Sequence, residues 1–473
     1  MKVNTLSLLL SNMRYGLISH SLVCLFGIVR AIIIPVMLGV INFGYWQFYI
    51  LYAGFVGIFT FGFNDGIYLR YGGKLNDELP WKRLRGAFFF YFLTLLLISF
   101  VLFITLINLD DVRMEKLISL KYIIISIVLS GAISLNVFLF QITNQIKKYS
   151  IYILIDKIFF VLLLFLIYFF YSDYNFEYLM IIDCVSKLFL IFIVFIDYRK
   201  YIFGRMASFR ESWEEFCANI GAGIKLMLAN LLAMLILNIS RIFIEFYYTT
   251  EEFSVFSFGI TLTNLGLLLV SAISVVLYPA LKQLKKEEYM QFYAELSDAV
   301  TFAIFMLLFS YYPIYIFIIN FIPDFKDVLI YFNILLVVSL LQIKMNVIIN
   351  TFYKVLRRER SLLIANFESL VFILFLSTLV ILFYKTINAM AFAMLVVVIL
   401  RVYRSELYIK NIVSIQNHGQ SVLELSILLI FILITQTMSL TMSFIMLSIF
   451  FVLFANYQKT KITGFIKMLR TKK

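Results

Sequence analysis

Long apolar runs separated by short charged links recur along the whole chain. Residues 85–109 read RGAFFFYFLTLLLISFVLFITLINL and residues 158–171 read IFFVLLLFLIYFFY, and neither keeps a polar face at helical spacing. A helix needs about 20 apolar residues to cross a bilayer. That rule predicts fourteen spans, at 17–38, 43–69, 86–108, 118–142, 151–171, 176–198, 220–247, 255–281, 299–321, 328–351, 362–384, 386–405, 422–438 and 440–457. The pattern excludes a large soluble bundle, whose helices would each show water a polar stripe. Composition agrees: 63% of the 473 residues are apolar and 14% charged, against about 25% charged in an ordinary soluble protein.

The links carry the charge. With the N-terminus inside, the inside segments hold 29 of the 40 Lys and Arg residues and the outside loops five, Arg113, Lys116, Lys121, Lys326 and Lys385. Cytoplasmic loops are enriched in basic residues, and one missed span would invert every later loop. An even span count with both termini cytoplasmic follows. The net charge of +13 is spread over short loops, which is a topology signal and not a groove for nucleic acid. The first run, from about Leu17, has no small-residue cleavage site and reads as a span, not a cleaved signal. Cys24, Cys184 and Cys217 are scattered, and His20 and His418 lie far apart, so no metal site or cofactor is expected. The absence of a GxxxxGK[ST] sequence argues against ATP hydrolysis by this chain.

Residues 34–50 and 244–260 both begin at the outer end of the first helix of a six-helix group and re-enter through an aromatic-rich segment, at an offset of 210. The chain then divides into an N-lobe (1–198, spans 1–6), a cytoplasmic amphipathic connector (199–219), a C-lobe (220–410, spans 7–12), and two extra spans with a basic tail (411–473). Parallel halves of this kind place a substrate site between them near the bilayer middle. The outside loops are too short for a soluble catalytic domain.

Three stretches carry a family resemblance: LGVINFGYWQFY (38–49), FGFNDGIYLRYGG (61–73) and VVLYPALKQL (275–284). They resemble the first outer turn and the ends of the second and eighth helices of the Wzx-type polysaccharide flippases. These belong to the multidrug/oligosaccharidyl-lipid/polysaccharide exporter superfamily. Fourteen spans depart from the more usual twelve and are similar to the lipid II flippase branch and to some capsule exporters. The resemblance implies an all-α polytopic protein with two six-helix lobes in a V-shaped arrangement like that of the multidrug exporters, plus two C-terminal helices. It implies a translocase without catalytic chemistry. The substrate is expected to be an undecaprenyl-pyrophosphate-linked oligosaccharide, moved across a bacterial inner membrane for O-antigen or capsule assembly. Membrane lipids, a polysaccharide polymerase and a chain-length regulator are the expected partners.

Charges within spans are the candidate chemistry, because an arginine at mid-bilayer costs about 2.5–3.5 kcal/mol on insertion scales. They are Arg30, Asp183, Lys187, Arg241, Glu245, Lys344, Glu368 and Arg401, with Asp65 and Lys225 near cytoplasmic ends. Asp183 with Lys187 and Arg241 with Glu245 stand four apart and can pair along a helix face; such a pair can simply hold packing. Arg30 and Lys344 have no local partner in the sequence. The surplus of cations suits a pyrophosphate, which Arg grips with forked donors and Lys with a point charge. The predicted substrate-binding residues are Arg30, Arg241, Lys344 and Arg401. Asp65, Asp183, Lys187 and Glu368 are candidates for ion coupling, with Asp65 also readable as a helix-end residue beside Arg70. Pro35 is a candidate hinge, since it removes one rung of the helical ladder. The first rival is a drug or cation antiporter of the same superfamily, which would want an acid where span 1 has Arg30. The second is a membrane-embedded polysaccharide polymerase, which would want a large outer loop.

Overall fold

The computed structural model describes the backbone of residues 2–108, 112–143, 145–171, 174–282, 288–414 and 419–471; side chains are described within 19–267, at 281, and within 288–456. The described chain is helical, and no strand occurs among the described residues. Its helices are α1 (Lys2–Gly54), α2 (Phe63–Tyr71), α3 (Trp81–Ile107), α4 (Met114–Ile142), α5 (Ile146–Phe170), α6 (Phe176–Ile202), α7 (Phe209–Tyr247) and α8 (Thr250–Lys282). They continue as α9 (Tyr289–Leu308), α10 (Tyr311–Phe321), α11 (Leu329–Lys344), α12 (Asn350–Val355), α13 (Glu359–Leu379), α14 (Ile387–Val413), α15 (Gly419–Thr437) and α16 (Leu440–Thr471). Among the described residues, eleven helical stretches are long and apolar enough to cross a membrane, and Leu440–Asn456 is a shorter apolar one. Spans 1 and 2 run together as the single stretch Ser21–Thr60, which accounts for one of the differences from fourteen. α8, the predicted span 8, has side chains only partly within the described set.

Several spans are broken where the apolar pattern alone reads as continuous. α1 stays helical through Pro35, and the non-helical residue is Gly39, at φ 64° and ψ 179°. The bend assigned to Pro35 is therefore taken four residues later. Nothing lies within 4 Å of where a Cβ would stand at Gly39, so glycine is needed there for its torsion and not for space. Span 2 continues as a 3-10 turn, Phe55–Thr60, and breaks again at Phe61 and Gly62, both left-handed, before α2. Span 10 carries a π segment, Met345–Ile349, between α11 and α12, and span 11 ends in another, Val380–Tyr384.

The chain divides into two compact units, Met1–Asn238 and Ile239–Lys473. The expected connector at 199–219 is a short link after α6 followed by the first turns of α7, which then runs unbroken for 39 residues. Ser208 and Glu211 cap its start reciprocally: Ser208 Oγ accepts from the Glu211 N–H at 3.3 Å, and Glu211 Oε2 accepts from the Ser208 N–H at 3.3 Å.

In the first unit α1 packs on α4, α5 and α6, and α3 on α4. The backbones of α2 and α7 nearly touch: a Cβ at Gly66 would fall 1.8 Å from the Asn219 carbonyl oxygen, and one at Gly223 would fall 2.0 Å from that of Gly62. Small residues at such contacts let membrane helices pack by dispersion alone. In the second unit α11 is the central element, packed on α8, α9, α14 and α15. Every residue from Tyr331 to Lys344 is buried.

Candidate functional site

The first unit gathers its intramembrane charges around Arg30. Its guanidinium carbon stands 3.9 Å from the centre of the Phe160 ring, a cation–π contact of α1 on α5. Trp46 tilts against the same ring at 6.2 Å and stacks on Tyr49 at 5.5 Å. Asp156, Asp183 and Tyr49 are the electrostatic neighbours of Arg30, yet among the described residues it makes no ion pair.

The two carboxylates are occupied elsewhere. Asp183 pairs with Lys187 one turn on, at 2.7 Å, as the i,i+4 spacing predicts. Tyr49 donates to the same Asp183 oxygen at 2.5 Å and also contacts Ser126 Oγ at 2.7 Å. Lys187 in turn donates weakly to Ser126 at 3.4 Å. Asp156 is held by its neighbour Lys157 at 2.6 Å. Three cations thus meet two carboxylates, and Arg30 carries the surplus. The sequence reading missed Asp156, Tyr49 and Ser126. α5 begins at Ile146, which places Asp156 and Lys157 about 15 Å along the helix.

Asp65 stands apart from this group, half-buried in the first turn of α2, where an acid is favoured by the helix dipole. It does not answer Arg70. That side chain pairs with Glu215 of α7 at 2.6 Å and donates to Asn219 at 2.7 Å. Glu215 also accepts from Tyr71 at 2.7 Å. Burial, with this bond to a carboxylate, pushes the Tyr71 hydroxyl up to about 12.

In the second unit Lys344, which has no local partner in the sequence, is paired with distant ones. Its Nζ lies 2.8 Å from Glu406 Oε2 and 2.7 Å from Glu424 Oε2, and all three side chains are about 1% exposed. Lys410 is buried too and pairs with Glu406 at 3.0 Å. Thr301 donates to Glu424 at 3.0 Å, Ser421 to Glu406 at 2.9 Å, and Lys410 to Ser421 at 2.5 Å. Two lysines and two glutamates form a neutral network joining α9, α11, α14 and α15. Carboxylates 62 and 80 residues away in the chain leave no local signature to read.

Arg241 is buried on α7 and donates through Nε to Ser257 Oγ of α8 at 3.2 Å; its guanidinium lies 5.9 Å from the Phe253 ring. Glu245, one turn on, is also buried. Arg401, predicted to bind substrate, is 2% exposed and bonded to two amides, Asn366 Oδ1 at 3.1 Å and Gln342 Oε1 at 3.3 Å. No carboxylate pairs with it among the described residues. It lines a cleft of about 260 Å³ with Glu368 and Arg404. Glu368 pairs with Arg404 near the surface, those side chains being 40% and 66% exposed. Among the described residues no cluster of His, Cys, Asp and Glu could hold a metal ion.

Residues 9–285 match the family described as "Polysaccharide biosynthesis protein", and the chain belongs to it. No curated protein is significantly similar to the sequence. Among solved structures, the fold is similar to that of lipid II flippase MurJ in an inward closed conformation. That match has a TM-score of 0.62 and 15% identity over 96% of this chain and all of the other. An inward-facing multidrug resistance MATE family transporter of the MOP superfamily matches with TM-score 0.57 and 12% identity, over 84% of this chain and 94% of that one. A mutant of the Vibrio cholerae MATE transporter VcmN matches with TM-score 0.54 and 15% identity, over 87% and 97%. The chain therefore has the fold of a transporter of that superfamily, in a multi-pass membrane protein. At these identities the likeness concerns the fold alone.

Proposed function

We propose that the chain is a flippase for a polyprenyl-pyrophosphate-linked oligosaccharide repeat unit, working in a bacterial inner membrane with both termini cytoplasmic. Family membership supports a role in polysaccharide biosynthesis; assembly of O-antigen or capsule, alongside a polymerase and a chain-length regulator, is the setting we propose for it. The observation that carries the reading is Arg30, a guanidinium laid on Phe160 while the two acids beside it are held by lysines. An unneutralised guanidinium in the apolar part of a membrane protein favours an anion that brings forked acceptors, as a pyrophosphate does. Arg241 and Arg401, which bond to Ser257 and Asn366, are proposed as secondary contacts. Lys344 is left out of the binding set because two glutamates neutralise it.

Asp183 is the proposed coupling carboxylate, because Tyr49, Ser126 and Lys187 form a continuous hydrogen-bonded path to it. Reconstitution of the purified chain into proteoliposomes tests the reading. A labelled pyrophosphate-linked oligosaccharide lipid should cross the bilayer only when the protein is present. Transport of organic cations instead, with no movement of the lipid-linked saccharide, would replace it with the antiporter reading.

A further inference from the structure

A groove of about 390 Å³ lies in the first unit between α3, α4 and α6, within the roughly 300–1,000 Å³ of sites that hold drug-sized molecules. Its walls are apolar, formed by Phe89, Phe92, Leu135, Leu139, Phe195 and Phe203. Several of these side chains are exposed, Phe89 at 54% and Phe203 at 59%, so the groove opens to the surroundings of the helices. One end is charged. Arg85 lines it, and its guanidinium donates to the backbone carbonyls of Tyr201 at 2.8 Å, Arg205 at 3.3 Å and Lys200 at 3.5 Å. These bonds hold the end of α6 and the following link against α3. They hold the backbone of Lys200 and Arg205, whose side chains are exposed, against Arg85 at that end.

That end is built for the contact. Gly204 sits at φ 143°, and a Cβ there would come 2.4 Å from Arg85 Nη1, so any other residue would push the guanidinium away. Two of the five N–H donors of Arg85 remain after the three carbonyls are served. None of Arg85, Lys200 and Arg205 pairs with a carboxylate among the described residues. A long apolar slot ending at Arg85, with two more basic residues on the segment that Arg85 holds, matches an amphiphile with an acidic head.

We propose that this groove holds an anionic glycerophospholipid, its acyl chain between α3, α4 and α6 and its phosphate at the Arg85, Lys200 and Arg205 end. Basic pockets between membrane helices take acidic headgroups in this way. The site lies in one unit, apart from Arg30, and does not depend on the substrate proposed above.

Native mass spectrometry of the full chain in detergent, exposed to equal amounts of dioleoyl-phosphatidylglycerol and dioleoyl-phosphatidylcholine, tests the proposal. The wild type should retain the anionic lipid preferentially. The double variant Lys200→Ser/Arg205→Ser keeps the backbone carbonyls that Arg85 holds. It should lose about thirtyfold in affinity for that lipid, the ordinary worth of two basic residues near an anionic surface, with phosphatidylcholine retention unchanged. Asn136→Trp, which fills the groove from α4, should reduce retention of both lipids. Equal retention of the two lipids by the wild type overturns the proposal, and so does full phosphatidylglycerol retention in either variant. Displacement of the lipid by millimolar glycerol 3-phosphate would make the site one for a free anion and overturns it as well.

Discussion

Lys344 and Glu424 meet at 2.7 Å in the interior of the second unit, 80 residues apart in the chain and both about 1% exposed. The contact fastens α15, the first of the two spans beyond the usual twelve, to the central helix α11. With Glu406 and Lys410 the group is neutral, so no net charge is left buried. Breaking one partner of such a pair strands the other, which costs about 3–5 kcal/mol.

Lys344→Met should therefore destabilise the protein by about that amount, because Lys410 alone then faces two glutamates. Adding Glu424→Gln should recover part of the loss, a coupling of about 0.5–3 kcal/mol between side chains in direct contact. Unfolding of the single and double variants in detergent reads this directly. Additive losses would mean that the two groups do not act together.

Two glycines should respond differently to the same change. Gly66→Ala puts a methyl 1.8 Å from the Asn219 carbonyl oxygen, a backbone atom that can retreat only if α2 and α7 separate, and overpacking of this kind costs about 1–3 kcal/mol or more. Gly39→Ala meets nothing within 4 Å and should lose only the penalty of a torsion, φ 64° and ψ 179°, open essentially to glycine alone, about 1–3 kcal/mol. Thermal stability and monodispersity of the two variants should rank Gly39→Ala above Gly66→Ala.

Much of the helical layout was legible because apolar runs of bilayer length have few other uses. All fourteen predicted segments fall on helical backbone. The breaks within them were not legible: Pro35 drew the eye, but the chain turns at Gly39, where torsion and not the missing N–H decides. Among the charges, the Asp183–Lys187 pair could be read because both members share one helix face. The partners of Lys344, Arg401 and Arg70 could not, since each lies on a different helix and only packing brings them together. Asp156 lies inside the predicted span 151–171 but beside Lys157, so the two charges cancel as neighbours in the sequence and Asp156 drew no assignment.

Two of the three candidate coupling acids, Asp183 and Glu368, should separate in a pH profile of transport. Asp183 and Lys187 are 13% and 16% exposed and share Tyr49 and Ser126. Glu368 and Arg404 are 40% and 66% exposed, a far less enclosed pair with no shared hydroxyl network among the described residues. Asp183→Asn should change the pH dependence of transport in proteoliposomes, while Glu368→Gln should leave the profile as it was. The reverse ranking would move the coupling site to the α13–α14 cleft.

The account stands most directly on Arg30. Arg30→Ala and Arg30→Lys should be compared in proteoliposomes with a fluorescent polyprenyl-pyrophosphate oligosaccharide, after melting curves confirm that both variants are folded. The account predicts that Arg30→Ala stops translocation and that Arg30→Lys, which keeps the charge but not the fork, restores only part of it. Translocation by Arg30→Ala at the wild-type rate would contradict it.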